Sequence, residues 1–284
     1  MPTIADVRDY WNNNPLFSHE LEDVGSPAFF EQLHQIKTGD VERYALPYWQ
    51  FDAYAGRRVL DVGCGPGWIT VQYTQGGALV DGVDLTPRAV DLTKAHLAYR
   101  GLSAAVQVGN AEDLPFADQT FDLVVSSGVL HHTPNTSKAF AECFRVLKPG
   151  GHAKITLYRK GLLHTRWVFG VTRLAMRTLR VKHPGADLSR DAKDVDDFIR
   201  QYDGADNPIG LAHTDAEWRS LLEHAGFTYV HHEDHFFPRR FIPSVTWIPN
   251  FVHRMLDGRF GTMVYFDLRA SSITRPYSSS AICA

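Results

Sequence analysis

The stretch of residues 59–68, Val-Leu-Asp-Val-Gly-Cys-Gly-Pro-Gly-Trp, constrains the fold of this chain more than any other. Its apolar start, with Val59, Leu60 and Val62, is typical of a buried strand in a parallel sheet. Glycines at alternate positions then allow a tight turn whose backbone can approach a ligand closely. A helix beginning there would direct free N–H groups toward an anionic group. The stretch therefore predicts a strand, a nucleotide-binding loop and a helix.

The spacing of the glycines bears on the class of ligand. Dinucleotide-binding proteins use the pattern G-x-G-x-x-G, whose last glycine lets the helix pack near the pyrophosphate. Here the third glycine is Gly67, and Trp68 stands where the pattern requires glycine. An indole would obstruct a pyrophosphate, but it matters less to a ligand that carries an amino acid there. Residues 78–85 predict a second strand with Asp84 near its end, and such a carboxylate can accept both hydroxyls of a ribose.

Three further motifs follow in the order residues 109–116 (Gly-Asn-Ala-Glu-Asp-Leu-Pro-Phe), 121–127 (Phe-Asp-Leu-Val-Val-Ser-Ser) and 147–151 (Leu-Lys-Pro-Gly-Gly). With the glycine loop and Asp84, they make the chain resemble the class I S-adenosylmethionine-dependent methyltransferases. Within that family, the resemblance is to the broad group that includes ubiquinone/menaquinone C-methyltransferase-like enzymes. It covers residues 57–158 and resumes near the end of the chain.

The resemblance implies S-adenosylmethionine as the cofactor. The loop would hold it, Asp84 would bind the ribose, and the segment at Asn110 would bind the adenine. Asn110 stands where the family commonly has aspartate, and its amide oxygen can still accept a hydrogen bond from the adenine amino group. Ser126 and Ser127 would contact the methionine end. The implied cofactor residues are Asp61, Gly63, Cys64, Gly65, Gly67, Trp68, Asp84, Leu85, Asn110, Ala111, Glu112, Ser126 and Ser127.

The acceptor side of the site rests on fewer signals. His131 and His132 follow the fourth predicted strand, at the sheet edge where ligands bind in such folds, and a histidine titrates near neutrality as a general base should. The alternative is that these histidines only shape the pocket. Catalytic residues are otherwise not expected, because the cofactor is already reactive and the protein mainly aligns it with the acceptor. The predicted substrate pocket contains Tyr10, Trp11, His131, Asp206 and Asn207.

Alternating strand and helix patterns predict an α/β fold with a doubly wound, seven-stranded, mostly parallel sheet. Its last two strands would form an antiparallel hairpin at one edge, as the resemblance implies. The predicted strands are 57–63, 78–85, 104–109, 121–127, 152–158, 227–236 and 262–269. The predicted helices are Ile4–Trp11, Phe29–Tyr48, one from Gly67, 87–100, 135–147, one from the capping box at Thr214, and one near Val252–Leu256.

The chain is predicted to be a single methyltransferase domain over residues 1–284. An N-terminal lid (1–55) would precede the cofactor-binding core (56–158), although its Tyr10 and Trp11 could equally serve only to anchor the segment. A cap insertion (159–213) would follow, and then a C-terminal helix and strands (214–270) with a second insertion at 237–261. The serine-rich end (271–284) would be a mobile tail.

Composition excludes several classes of protein. A net charge of −3 gives no general attraction to nucleic acid, so a nucleic-acid partner is not expected. The start lacks a signal-peptide pattern and no apolar run approaches membrane-spanning length, so we expect a cytoplasmic protein. The three cysteines have no metal-binding spacing. Cys64 could be a nucleophile, but a small residue tolerated in a tight loop is the simpler interpretation.

Two polar runs leave alternatives open. The basic segment 160–182 could lie on an anionic membrane surface or hold an anionic substrate, but a cap helix with solvated arginines is favoured. His231, Glu233 and His235 would share one strand face, yet edge-strand polarity explains them without metal, and no metal is expected.

The predicted function is methyl transfer to a small organic acceptor. The alternatives are methylation of a lipid or quinone at a membrane surface, and a non-catalytic cofactor-binding interaction protein.

Overall fold

The computed structural model describes residues 2–161, 170, 194–204, 206–236 and 249–271. Its strands are β1 (Arg58–Val62), β2 (Leu79–Asp84), β3 (Ala105–Val108), β4 (Phe121–Ser127), β5 (Leu147–Tyr158), β6 (Phe227–His235) and β7 (Met263–Ala270). The α-helices among the described residues are α1 (Ile4–Asn13), α2 (Pro27–Ile36), α3 (Leu46–Trp49), α4 (Trp68–Gln75), α5 (Pro87–Tyr99), α6 (Thr136–Arg145), α7 (Val195–Arg200), α8 (Asp215–His224) and α9 (Asn250–Phe260).

The strands form one seven-stranded sheet in the order β3-β2-β1-β4-β5-β7-β6. β7 runs antiparallel to both β5 and β6, whereas the other pairs are parallel. The strand order reverses between β1 and β4, so the carboxyl ends of these strands open a crevice where ligands bind in doubly wound sheets. The predicted α/β fold, with its mostly parallel sheet and antiparallel edge hairpin, is confirmed.

Apolar side chains cover both faces of the sheet. On one face α6 and α8 pack against it through Phe140 and Trp218, and the Trp218 indole N–H donates to the Tyr158 carbonyl oxygen at 2.7 Å. On the other face the N-terminal segment and α4 contribute Phe29, Trp49 and Tyr73 to a second core cluster. The N-terminal segment therefore belongs to the folded core next to the crevice.

The predicted single helix over Phe29–Tyr48 is wrong. α2 ends at Ile36, a π-helical turn covers Lys37–Val41, and α3 begins only at Leu46. Gly39 and Asp40 are weak helix formers. The buried carboxylate of Glu42 accepts hydrogen bonds from the Trp49 indole and the Tyr265 hydroxyl, at 2.9 and 3.1 Å. These contacts hold Glu42 and the following residues against the core. A single straight helix over Phe29–Tyr48 would not allow them.

Smaller differences concern boundaries. α6 ends at Arg145, and β5 begins at Leu147 rather than at residue 152, because Leu147 already pairs with Phe121 of β4. A register shift follows before His152 pairs with Leu123. α7 was not predicted; Asp194 caps its N-terminus by accepting from the Asp197 N–H. Most of the basic segment 160–182, the first part of the insertion (237–248) and residues 272–284, with Cys283, lie outside the described residues. In the part that is described, no helix is both long and apolar enough to cross a membrane.

Candidate functional site

A cavity lies at the carboxyl ends of β1 to β4, in the crevice that the strand order creates. The glycine loop after β1, the end of β2, the loop after β3 and the turn after β4 form its walls. Ile4, Val7 and Trp11 of α1 close it from the N-terminal side. Ten of the predicted cofactor residues line it: Asp61, Gly63, Cys64, Gly65, Trp68, Asp84, Leu85, Asn110, Ala111 and Ser127.

The glycine loop is held in a conformation that side chains disfavour. Gly63, Gly65 and Gly67 have φ values of +78°, +52° and +82°, all in the left-handed region. The Gly63 N–H donates to the Val83 carbonyl oxygen at 2.7 Å, and the Thr93 hydroxyl donates to the Gly65 carbonyl oxygen at 2.8 Å. Nothing lies within 4 Å of the position where a Cβ atom on Gly65 would stand. The loop therefore presents open backbone to the cavity at Gly65, while Gly67 serves as the N-cap of α4.

Asp84 joins the end of β2 to this loop. One carboxylate oxygen accepts the Gly65 N–H at 3.0 Å, and the other accepts the N–H and hydroxyl of Thr86 at 2.9 and 3.0 Å. Burial raises the pKa of Asp84, and these donors oppose that change. The donors also fix the orientation of the carboxylate at the edge of the cavity. The oxygen that accepts the Gly65 N–H keeps one lone pair for a ligand hydroxyl, and the other oxygen regains one when the Thr86 hydroxyl turns to another acceptor.

Asp61 is the acidic group in the floor of the cavity. Its side chain is 2% exposed and accepts the Thr70 hydroxyl at 2.6 Å. Burial raises the pKa of Asp61 to about 7, although the Thr70 hydrogen bond and the Lys37 ammonium act in the opposite direction. A buried carboxyl group that titrates near neutrality is suited to bind a cationic group of a ligand.

The segment after β3 arranges its own polar groups. The Asn110 amide oxygen accepts the Glu112 N–H at 2.9 Å, and the Glu112 carboxylate accepts the Asn135 N–H at 2.7 Å. Glu112 therefore ties this segment to the N-cap of α6 instead of lining the cavity. Ser126 is likewise turned away, because its buried hydroxyl donates to the Val62 carbonyl oxygen at 3.0 Å.

Cys64 lines the cavity, but its thiol is 5% exposed. Burial raises the pKa of Cys64 well above its ordinary value, and the Thr93 hydroxyl lies 3.4 Å from its sulfur. A thiol in that state is a poor nucleophile, which supports the interpretation of Cys64 as a small loop residue. The Trp68 ring is also buried, and its N–H donates to His34 Nδ1 at 3.2 Å.

The two candidate histidines occupy different environments. His132 lines the cavity, its Nδ1 lies 2.5 Å from the Ile209 carbonyl oxygen, and its Nε2 lies 3.3 Å from the Asp203 carboxylate. His131 is fully buried behind it, not among the lining residues, with no hydrogen-bond partner for either ring nitrogen among the described residues. Burial lowers the pKa of His131 well below its usual range. Of the two, His132 is therefore the one with access to a ligand.

The predicted substrate-pocket residues are only partly brought together. Trp11 lines the cavity with its ring edge-on to His132, at 5.2 Å between centroids. Tyr10 points away and donates its hydroxyl hydrogen to the Asp203 carbonyl oxygen. Asn207 is buried and donates to the Arg200 carbonyl oxygen at 3.0 Å, while Asp206 is exposed. Neither Asp206 nor Asn207 is among the described residues that line the cavity.

Comparison of the sequence with known proteins finds a family domain and several relatives. A family model described as a methyltransferase domain matches residues 60–155. An uncharacterized methyltransferase from Synechocystis sp. is 37% identical over 146 residues, which cover 50% of this chain and 65% of that protein. A ubiquinone biosynthesis O-methyltransferase from Thiobacillus denitrificans is 39% identical over 98 residues, 34% of this chain and 42% of that protein. Residues 60–155 therefore form a methyltransferase domain of the class I, S-adenosylmethionine-dependent type.

Solved structures agree on the fold. An S-adenosylmethionine-dependent methyltransferase from Mesorhizobium loti superposes with a TM-score of 0.53 and 19% identity, over 81% of this chain and 98% of that one. The [4+2]-cyclase SpnF superposes with a TM-score of 0.57 and 18% identity, over 95% and 97%. The chain spans less than two thirds of the length of the first curated relatives, which do not identify its acceptor.

Two residues at or beside the cavity were not among the predicted site residues. Lys37 lines the cavity from the π-helical turn, and Asp203 holds His132 and the Tyr158 hydroxyl, the latter at 2.6 Å. Neither lies in a motif. Lys37 and Asp203 lie in two segments outside the family motifs. For Asp203, the sequence signal was the surplus of polar residues in 194–206; Lys37 had no such signal.

The metal alternative involves residues that already pair with one another. The His235 ring contacts the Glu233 and Asp257 carboxylates at 3.0 and 2.7 Å, and His231 lies 3.6 Å from Glu233. A second group, Asp215, His232 and Asp234, brings its ligand atoms within 4.8 Å of one another. The Arg159 guanidinium contacts both of its carboxylates, at 2.8 and 2.9 Å, and supplies the positive charge there.

Substitution of Gly65 can distinguish two effects of an added methyl group, which are obstruction of the ligand and strain of the backbone. Gly65→Ala should fold but lower the affinity for S-adenosylhomocysteine by more than about tenfold, because its methyl group enters the cavity; tenfold corresponds to about 1.4 kcal/mol. Gly101→Ala is the matched control, since Gly101 has φ +67° and equally open surroundings, away from the cavity. Thermal unfolding should show similar small losses of stability in both variants. Equal affinities in calorimetry would contradict the prediction.

Asp61 gives a pH dependence. If its ionised carboxylate binds a ligand ammonium, the affinity for S-adenosylhomocysteine should fall as the pH drops below about 7, by up to about tenfold per pH unit. In the free protein the sign is opposite: a raised carboxyl pKa contributes stability that is present below the unfolded value near 3.8 and is lost as the pH rises through about 7. The test is calorimetry of S-adenosylhomocysteine binding between about pH 5.5 and 7.5, a range that includes the pKa of Asp61 at about 7. The affinity should fall toward low pH in the wild type and not in Asp61→Asn.

Proposed function

We propose that this protein binds S-adenosylmethionine in the cavity and transfers its methyl group to a small organic acceptor, releasing S-adenosylhomocysteine. The observation that carries the proposal is the joint placement of the glycine loop and Asp84, whose carboxylate is held at the cavity edge by the Gly65 N–H. A carboxylate fixed there fits a ribose diol, and the buried Asp61 in the floor fits an ammonium group.

The cavity fits the rest of the cofactor as well. Val83, Leu85 and Ala111 give it an apolar wall near Asn110, as a purine ring requires, and Gly65 leaves the space above the loop clear. When bound, the sulfonium of the cofactor supplies an activated methyl group for in-line displacement. The residues of the chain then have three tasks: to hold the cofactor, to orient the acceptor and to exclude water.

Exclusion of water falls to α1. Its Ile4, Val7 and Trp11 close the cavity, and the Tyr10 hydroxyl fastens the helix to the backbone of Asp203. This supports the proposal that residues 1–55 include a lid over the cofactor. An apolar cover of this kind lowers the local dielectric constant and strengthens the polar contacts beneath it.

His132 is the residue best placed to handle a proton of the acceptor. Its Nδ1 faces the Ile209 carbonyl oxygen, which fixes the Nδ1–H form, so the second proton would be held at Nε2 against Asp203. The Asp203 carboxylate also accepts the Tyr158 hydroxyl. We propose that His132 and Asp203 act together when the acceptor loses a proton, and that His131 only shapes the pocket.

The test is incubation of the protein with methyl-labelled S-adenosylmethionine and fractionated cell metabolites, followed by mass spectrometry. Labelled small molecules together with S-adenosylhomocysteine are the expected result. At a cofactor concentration too low to saturate the wild type, Asp84→Ala should form both in strongly reduced amounts. Binding of the cofactor without any methyl release across the fractions would favour a non-catalytic role. The fold alone does not establish methyl transfer, since SpnF shares it and is described as a cyclase.

Methylation at a membrane surface has its own test. Arg173, Arg177 and Arg180, on which that alternative depends, lie outside the described residues. Pelleting with anionic liposomes that disappears when the three arginines are neutralised would support it. Label found in the lipid fraction alone would also replace the small-molecule proposal.

A further inference from the structure

The helix α9 buries polar side chains and exposes apolar ones. His253 and Asp257 are 2% and 4% exposed, whereas Phe251 and Met255 are 76% and 65% exposed. The two members of each pair are four residues apart, so each pair shares one face of the helix. A helix that packs on a protein core ordinarily turns its apolar face inward. The outward apolar face of α9 is therefore not explained by the packing of the described residues.

Polar contacts fix this orientation of α9. At the end of β6, His235 Nδ1 lies 2.7 Å from Asp257 Oδ2. The Tyr44 hydroxyl lies 3.1 Å from His253 Nδ1 and donates to the Asn250 carbonyl oxygen at 3.3 Å. Rotation of the helix to bury its apolar face would break these contacts and leave buried polar groups without partners. The docked helix therefore keeps its apolar face toward the solvent.

The exposed side of α9 is also basic. Arg254 and Arg259 are exposed on the helix, whereas its one acidic residue, Asp257, is buried against His235. Apolar side chains accompanied by arginines are typical of helices that lie in the surface of an anionic membrane. The apolar side chains enter the boundary between headgroups and acyl chains, and the arginines are attracted to the negative lipid surface. An apolar layer beneath a negatively charged surface thus complements this face in both properties.

The sheet topology places α9 at the edge where the cavity lies. β7 is antiparallel to both β5 and β6, so β6 runs parallel to β5 and to the other strands of the parallel part. α9 follows β6 and precedes β7 in the chain, and it contacts His235 at the end of β6. It therefore lies at the carboxyl ends of the parallel strands, on the side of the molecule where the crevice opens.

We propose that α9 docks on an anionic lipid surface, with Phe251 and Met255 inserted below the headgroups and Arg254 and Arg259 beside the lipid phosphates. The inference goes beyond the proposed function, because it depends neither on the cofactor nor on the identity of the acceptor. It is also separate from the membrane alternative for the basic segment 160–182, since it rests on another element of the fold. Docking through α9 turns the crevice side of the molecule toward the membrane.

The test is sedimentation of the protein with lipid vesicles in the absence of cofactor. The wild type should pellet with vesicles of phosphatidylcholine and phosphatidylglycerol, and much less with phosphatidylcholine alone. Phe251→Ser/Met255→Ser and Arg254→Gln/Arg259→Gln should each weaken binding to the anionic vesicles by at least about tenfold, which corresponds to about 1.4 kcal/mol. Added salt should weaken the binding of the wild type more than that of the arginine variant, because salt screens exposed charges.

Leu79 and Arg57 provide the matched control. The Leu79 residue is 61% exposed and the Arg57 side chain 67% exposed. Both lie where β1 and β2 begin, at the opposite edge of the sheet from α9. Leu79→Ser/Arg57→Gln should therefore pellet like the wild type. Thermal unfolding at similar temperatures in all variants checks that each of them folds.

Three results would overturn the inference. The first is a wild type that does not pellet with anionic vesicles. The second is a wild type that pellets and α9 variants that pellet equally well, which would assign the contact to another part of the chain. The third is a wild-type dimer that Phe251→Ser/Met255→Ser converts to a monomer in analytical ultracentrifugation, which would make the apolar face an interface between two copies.

Discussion

Asp84→Ala is expected to weaken binding of S-adenosylhomocysteine by about a hundredfold. Two hydrogen bonds from ribose hydroxyls to a carboxylate, each worth at least about 1.5 kcal/mol, give about 3 kcal/mol, and 1.4 kcal/mol corresponds to a factor of ten. The same carboxylate accepts the Gly65 N–H, so its removal also loosens the loop on which the ligand rests. Asp84→Asn keeps an acceptor of the same shape without the charge and should lose less affinity.

Asp81 on the same strand provides the control. Its carboxylate pairs with the Arg58 guanidinium at 3.0 Å near the surface, and it is not among the residues that line the cavity. Asp81→Ala should leave the affinity nearly unchanged, because this side chain does not line the cavity, and the loss of its partly exposed ion pair should cost little stability. Isothermal titration of both variants with S-adenosylhomocysteine measures the two affinities. The ribose assignment is wrong if Asp84→Ala binds as tightly as the wild type, or if the loss follows Asp81 instead.

The core of the fold could be predicted from the sequence because local signals and long-range packing agree there. Thr86 caps α5 by accepting the Ala89 N–H, and Gly101 after the helix has the left-handed conformation that its position suggested. The apolar runs of β1 and β4 are buried in the sheet as expected. Each of these segments contains its own start and stop signals, so one sequence suffices to place it.

The N-terminal segment could not be predicted in the same way. Its helix breaks at Lys37 because Glu42 reaches Trp49 and, across more than two hundred residues of chain, Tyr265. No local pattern encodes a partner so distant in sequence. Without the break, Lys37 reads as one charged residue on an amphipathic helix, and its place in the cavity is hidden.

The histidines show a second limit of sequence-based prediction. His131 and His132 are adjacent and chemically identical, yet the 3₁₀ turn over Leu130–His132 places one at the cavity and the other in the core. The Asp203 carboxylate lies beside the His132 ring, and Asp203 belongs to a segment outside every motif. The identity of the residues was visible in the sequence, whereas their access to a ligand depends on packing between distant segments.

Gly63→Ala is expected to destabilise the protein strongly and to abolish cofactor binding. Its φ of +78° disfavours any side chain, and an added Cβ would stand 2.4 Å from both γ-carbons of Val129. Left-handed backbone costs about 1–2 kcal/mol and overpacking about 1–3 kcal/mol, so the free energy of unfolding should fall by about 2–5 kcal/mol. Relief of the clash would also displace the Gly63 N–H from the Val83 carbonyl oxygen, to which it donates at 2.7 Å.

A second substitution separates the two causes. Val129→Ala removes the γ-carbons that the new methyl group meets, so Gly63→Ala/Val129→Ala should regain the steric part of the lost stability and keep the backbone part. Gly101→Ala, with φ +67° and no neighbouring atom within 4 Å, measures the backbone part alone. Denaturant unfolding of the four variants, including Val129→Ala by itself, should show Gly63→Ala as the least stable. If Gly63→Ala loses no more stability than Gly101→Ala, the close approach of Val129 does not constrain the loop, and the loop's conformation must then be set by its hydrogen bonds to Val83 instead.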